Sequence, residues 1–113
     1  MIAEPLAWQD MQTDESKGIV ELLRNHGFEQ VDAYRYNSAS IRIRVIDKRF
    51  EGLSNEHRDA MVEPILDLLP ENTQSDIVNL LTLAPSDLDQ RPRKNLRSLL
   101  LNTEFEYPLR STL

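Results

Sequence analysis

His57 stands between Glu56 and the Arg58-Asp59 pair. An imidazole beside carboxylates titrates close to neutral pH and can move protons. His57 with Asp59 or Glu56 would therefore suit a hydrolase or transferase. The plainer reading of the same residues is the solvated first turn of a helix. His26, the other of the two histidines, reads as a last-turn residue facing the negative end of its helix. Neither has a second ligand at helix or strand spacing, which speaks against a zinc site. Glu51, Glu56, Asp59 and Glu63 are the right type for a hard cation. They are spread over a turn and a helix without a glycine-bearing calcium loop, so they read as a solvated face. Gly18, Gly27 and Gly52 lie too far apart to cradle a phosphate. The expectation is a protein that is not an enzyme and carries no metal or cofactor.

The basic residues offer a different chemistry. Arg42 and Arg44 alternate with Ile41, Ile43 and Val45, which predicts a strand with one buried and one wet face. Lys48 and Arg49 follow, and Arg91, Arg93, Lys94 and Arg97 form a later cluster. Converging, these cations could contact phosphates while Tyr34 or Tyr36 stacks on bases. Alternating arginines on an exposed strand also serve solubility and edge protection. A Gly-x-x-Gly clamp of the KH type is absent from the sequence. Phe105, Tyr107 and Leu109 alternate as an added strand would, for a protein partner or a second copy of the chain; a disordered tail is the alternative. Protein partners or self-association come first and nucleic acid second.

The chain has 113 residues, the size of one domain, with a net charge of -6 and no cysteine. The negative charge repels nucleic acid and anionic membranes over most of the surface. Without cysteine there is no disulfide framework and no thiolate chemistry. No segment approaches the ~20 apolar residues that span a bilayer, and Met1 to Asp14 does not read as a signal peptide. A cytoplasmic protein is the default expectation.

These residues need elements to hold them. Residues 1–12 read as an arm that docks through Trp8. Thr13 caps a helix with Asp14 and Glu15 in its first turn, Ile19, Leu22 and Leu23 on its apolar face, and Gly27 as a left-handed stop. Glu29 to Tyr36 and Ser40 to Asp47 predict a hairpin turning at Asn37-Ser38-Ala39. In the first strand either Val31 and Ala33 face the core and Tyr34 and Tyr36 face out, or the register is reversed. Ser54 caps a second helix striped by Met61, Val62, Ile65, Leu66 and Leu69. Pro64 lies inside it and predicts a kink or a split. Ile77 to Leu83 reads as a buried strand ended by Pro85. The order α-β-β-α-β predicts an α+β domain over residues 13–85, a small mixed three-stranded sheet with helices packed on one face. Residues 86–113 add a short helix and an extended tail.

Phe50-Glu51-Gly52-Leu53-Ser54, followed by Arg58 and Val62, resembles the central motif of the BolA-like family. The likeness spans approximately residues 17 to 85. It implies a fold similar to class II KH domains, with Phe50, Gly52, Ser54, Arg58 and Val62 at motif positions. It would also imply sharing of an iron-sulfur cluster with a monothiol glutaredoxin. The ligand positions depart from the family: Asp59 stands where histidine is usual, Ile77-Val78-Asn79-Leu80 holds no histidine, and Tyr36 to Ser40 offers no cysteine or histidine. Soft or imidazole ligands are missing from the sequence there, so the cluster chemistry is not carried over.

Overall fold

A computed structural model describes residues 7–89 and 96–111. Helix α1 covers Asp14–Asn25, strands β1 and β2 cover Gln30–Asn37 and Ser40–Ile46, and helix α2 covers Asn55–Leu66. A short helix α3, Glu71–Asp76, leads into β3, Ile77–Leu83, and α4 covers Leu96–Glu106. The sheet order is β1-β2-β3, with β1 and β2 antiparallel and β2 and β3 parallel. The protein is thus an α+β fold built on a mixed three-stranded sheet.

Local chemistry sets the element ends. Thr13 accepts from the Ser16 backbone N–H, and Ser16 Oγ accepts from Thr13 N–H at 2.8 Å, a reciprocal cap on α1. Gly27 ends that helix at φ +98°, a left-handed conformation that side chains resist. Asn37 Oδ1 accepts from Ala39 N–H and closes the hairpin turn. A register shift between Arg35 and Asn37 then decides the faces. Continued unshifted from the Asn37–Ser40 pair, the ladder would set Ala33 opposite Arg44. The shift sets Ala33 opposite Ile43 and Asp32 opposite Arg44, which resolves the register left open above.

One face of the sheet carries Val31, Ala33, Ile41, Ile43 and Val45, covered by Ile19 and Leu23 of α1 and Val62 and Leu66 of α2. Phe28 and Phe50 stack at its margin with ring centroids 6.0 Å apart. The opposite face, expected to be wet, is covered as well. Trp8, in a 3-10 turn at Trp8–Met11, and Phe105 of α4 pack there on Tyr34, Leu81 and Leu83. Trp8 docks on this face, while residues 1–6 of the expected arm lie outside the described residues.

Three expectations need correction. α2 runs unbroken through Pro64 and ends two residues later. The expected split therefore does not occur at Pro64, where only a short stretch of helix follows the proline. β3 is an edge strand, and its first half is open: Val78 is 63% exposed, while Leu81 and Leu83 are buried. Phe105, Tyr107 and Leu109 do not share one extended segment, as their alternation suggested. Phe105 belongs to α4 and is buried, whereas Tyr107 and Leu109 are exposed. The aromatic ring gains more from the second core than from an open alternation.

Candidate functional site

The cationic strand residues converge, but on each other's counter-charges. Arg44, 6% exposed, holds Asp32 Oδ2 at 2.6 Å, Glu106 Oε1 at 2.7 Å and Asn102 Oδ1 at 2.8 Å. Its guanidinium also lies 4.6 Å from the Phe105 ring centroid. Arg42 stacks on the Tyr36 ring at 3.8 Å and donates to the Tyr34 hydroxyl at 3.1 Å. Tyr34 is fully buried and donates to the Phe105 carbonyl at 2.8 Å. Burial raises its pKa above the ordinary 10.0, partly offset by Arg42. Tyr36 donates to the Leu109 carbonyl. Arg49 chelates Asp47 at 2.9 Å and reaches the Gly27 carbonyl. That hydrogen bonding from Arg49 lowers the Asp47 pKa below its ordinary 3.8.

Lys48 is exposed. Among the other five strand-face candidates, the arginines are paired and the tyrosine rings are buried or covered. The strand face expected to be wet at Arg42 and Arg44 is therefore a closed internal interface. Arg97 is exposed, and Arg91, Arg93 and Lys94 lie outside the described residues.

The motif residues perform structural work. Gly52 takes φ +74° in the turn, and Phe50 fills the first core. Ser54 caps α2 by accepting from His57 N–H at 3.2 Å. Arg58, only 8% exposed, donates to the Leu53 carbonyl, the Thr82 carbonyl and the carboxylate of Asp87, itself 4% exposed. Asp87 also accepts from Ala84 N–H. This pair ties the start of α2 to the end of β3. Val62 belongs to the first core.

His57 is exposed, and its Nδ1 lies 2.8 Å from Ser54 Oγ. A serine and a histidine at this distance resemble the start of a nucleophilic pair. Here the same Ser54 oxygen also accepts from the helix N-terminus, so attack on a substrate would first give up the cap. Asp59 turns away from His57 and accepts from Thr82 Oγ1 at 2.8 Å, and Glu51 accepts from Ser86 Oγ. Among the described residues no three acidic or histidine side chains come together as metal ligands would. No helix of the described residues is long and apolar enough to cross a membrane.

The open surface lies along β3. Its seven residues, Ile77 to Leu83, carry no charge. The Leu83 carbonyl accepts from Asp47 N–H on the β2 side. Backbone groups of successive strand residues point to alternate edges, so those of Thr82 and Leu80 point outward. Arg58 caps the Thr82 carbonyl at 3.3 Å. From Ile77 to Leu81 no strand among the described residues pairs with the outer edge. A groove of about 340 Å³ follows this stretch, bounded by Glu63, Asp67, Gln74 and Val78. A second, of about 260 Å³, continues toward Leu83 between Asp59 of α2 and Arg97 and Leu101 of α4.

Comparison with known proteins finds no matching family model, no matching curated protein and no matching solved structure.

Sequence reasoning missed Asp32, Asn102 and Glu106 as partners of Arg44, and Asp87 as partner of Arg58. A signal was present for two of them. Asn102 and Glu106 are four residues apart, and so share the helix face that also carries Phe105. Asp87 gave none, because its partner is 29 residues away in the chain.

Proposed function

We propose that this is a small non-enzymatic binding or adaptor protein that acts through a macromolecular partner, and that it takes a protein partner at the open edge of β3. One observation supports this above the others. The β3 edge combines an uncharged strand, outward backbone groups and a flanking groove, which is the arrangement that strand addition uses. Natural edge strands are usually blunted by charge, proline, a bulge or a covering element; β3 has a register shift between Ile77 and Asn79, but among the described residues no charge, proline or covering strand between Ile77 and Leu81. The BolA-like likeness at Phe50, Gly52, Ser54, Arg58 and Val62 bears on fold alone, and the cytoplasm is the default compartment of this reading.

The nucleic-acid alternative is disfavoured because Arg42 and Arg44 are already neutralised by Glu104, Asp32 and Glu106. The hydrolase or transferase alternative is disfavoured by the use of Ser54 and His57 in a helix cap. Val78→Lys tests the proposal, since Val78 is exposed and its replacement leaves the core untouched. Partners captured by the wild-type chain, identified by mass spectrometry, are expected to be lost with this variant at an unchanged melting temperature. Full retention of those partners would sink the proposal.

A further inference from the structure

We infer that the β3 edge selects an extended segment carrying lysine or arginine at alternate positions, contributed by a basic protein partner. This rests on the binding function proposed above and specifies its ligand. The inference joins three observations. First, the available edge from Ile77 to Leu81, which begins with a register shift between Ile77 and Asn79, is long enough for about five residues of extended chain, or about 17 Å. Arg58 occupies the Thr82 carbonyl and so sets the far limit of pairing.

Second, the two sides of the edge differ in charge. Val78, Leu80 and Thr82 lie on one side of the strand by its period of two, and Asp59 on α2 holds Thr82 there. On that side Glu63 and Asp67 line the groove, both exposed. Neither carboxylate makes an ion pair among the described residues. On the other side the groove meets Leu101 and Arg97 of α4. An incoming strand turns alternate side chains to these two sides. Lysines or arginines toward α2 would meet Glu63 and Asp67, while uncharged apolar residues would fit the side toward Leu101.

Third, charge argues against a second copy as the occupant. An antiparallel pairing of two copies through β3 would set one α2 beside the other on the same side of the joined sheet. Glu63 and Asp67 would then approach their own counterparts, and each chain has a net charge of -6.

The probe is an acetylated, amidated heptapeptide that alternates valine and lysine, with a valine-glutamate peptide of equal length as its control. Both are titrated into the isotopically labelled full chain and followed by the backbone amide signals of residues 77 to 82. The expected result is saturable movement of the Leu80 and Thr82 signals with the lysine peptide and none with the glutamate peptide. The Glu63→Lys, Asp67→Lys double variant, altered only at exposed positions, should bind the lysine peptide about ten-fold more weakly. That gap should shrink in about 0.5 M salt.

Equal movement of the β3 signals with both peptides overturns the basic selectivity and leaves edge pairing standing. No movement with either peptide, together with full partner capture by Val78→Lys, overturns both the selectivity and the edge. Movement of the same signals on raising the protein concentration alone overturns the inference in favour of a second copy.

Discussion

The two faces of the sheet are closed by different physics. The face under α1 and α2 is a continuous aliphatic layer in which Ile19, Leu23, Ile41, Ile43, Val45 and Val62 are fully buried. Its stability comes from apolar area removed from water and from close packing. The face under Trp8 and α4 is an aromatic cluster around a buried guanidinium. Trp8, Tyr34 and Phe105 meet with centroids 4.8 to 5.9 Å apart, and Arg44 joins β1 to α4 through Asp32, Asn102 and Glu106. The difference teaches that an alternating strand pattern identifies one buried face without showing that the other is wet. A guanidinium can line a buried face when its charge is matched and its plane lies against rings.

Replacing Phe50 by Ala should have the largest effect, a loss of about 4 kcal/mol in urea unfolding, because a fully buried ring leaves a cavity in the aliphatic layer. Arg44→Met should cost about 2 kcal/mol. The methionine keeps some of the packing, while Asp32 and Glu106 are sufficiently exposed to regain water. Amide exchange should then quicken in α4 more than in α1; equal acceleration in both helices would show that the two faces are not separate in stability. Tyr34→Phe should cost about 1 kcal/mol at neutral pH through its lost hydrogen bonds.

Tyr34 also gives the second face a pH signature. Its folded pKa lies above its ordinary value of 10.0 because burial opposes the phenolate. The corresponding stability is fully present below about pH 10 and is lost as pH rises through the folded value. The wild-type chain should therefore lose stability more steeply than Tyr34→Phe above pH 10, read by unfolding at a series of pH values. Parallel curves would remove Tyr34 from the account. The smallest effect belongs to Asp47→Asn, which loses a pair whose arginine is half exposed and should cost about 0.5 kcal/mol. Because Arg49 lowers the Asp47 pKa, that difference should be present above about pH 4 and vanish as pH falls through the lowered value.

Elements governed by near neighbours were legible before the structure. Thr13 and Ser54 announce helix starts, Gly27 a helix stop, and Ile41 to Val45 a strand, because capping and alternation act over four residues or fewer. The strand-face site was legible only in its residue types. Arg42, Arg44 and Tyr34 were found, but their partners Glu104, Glu106 and Phe105 lie more than 60 residues away in the chain. A guanidinium reads alike whether it faces phosphate, water or its own chain's carboxylate. The openness of β3 was hidden for a related reason: an apolar run looks the same at a sheet's centre and at its edge.

By itself the sequence determined the starts of α1 and α2, the hairpin, the α+β class and the motif turn from Phe50 to Ser54, since these follow from backbone preference and local hydrogen bonding; it did not announce α3. Tertiary structure decided which strand stands at the edge, that the arginine face is closed, and that Arg58 belongs to Asp87. Those outcomes depend on charges and rings brought together from distant parts of the chain, where burial makes each cation settle on an available counter-charge.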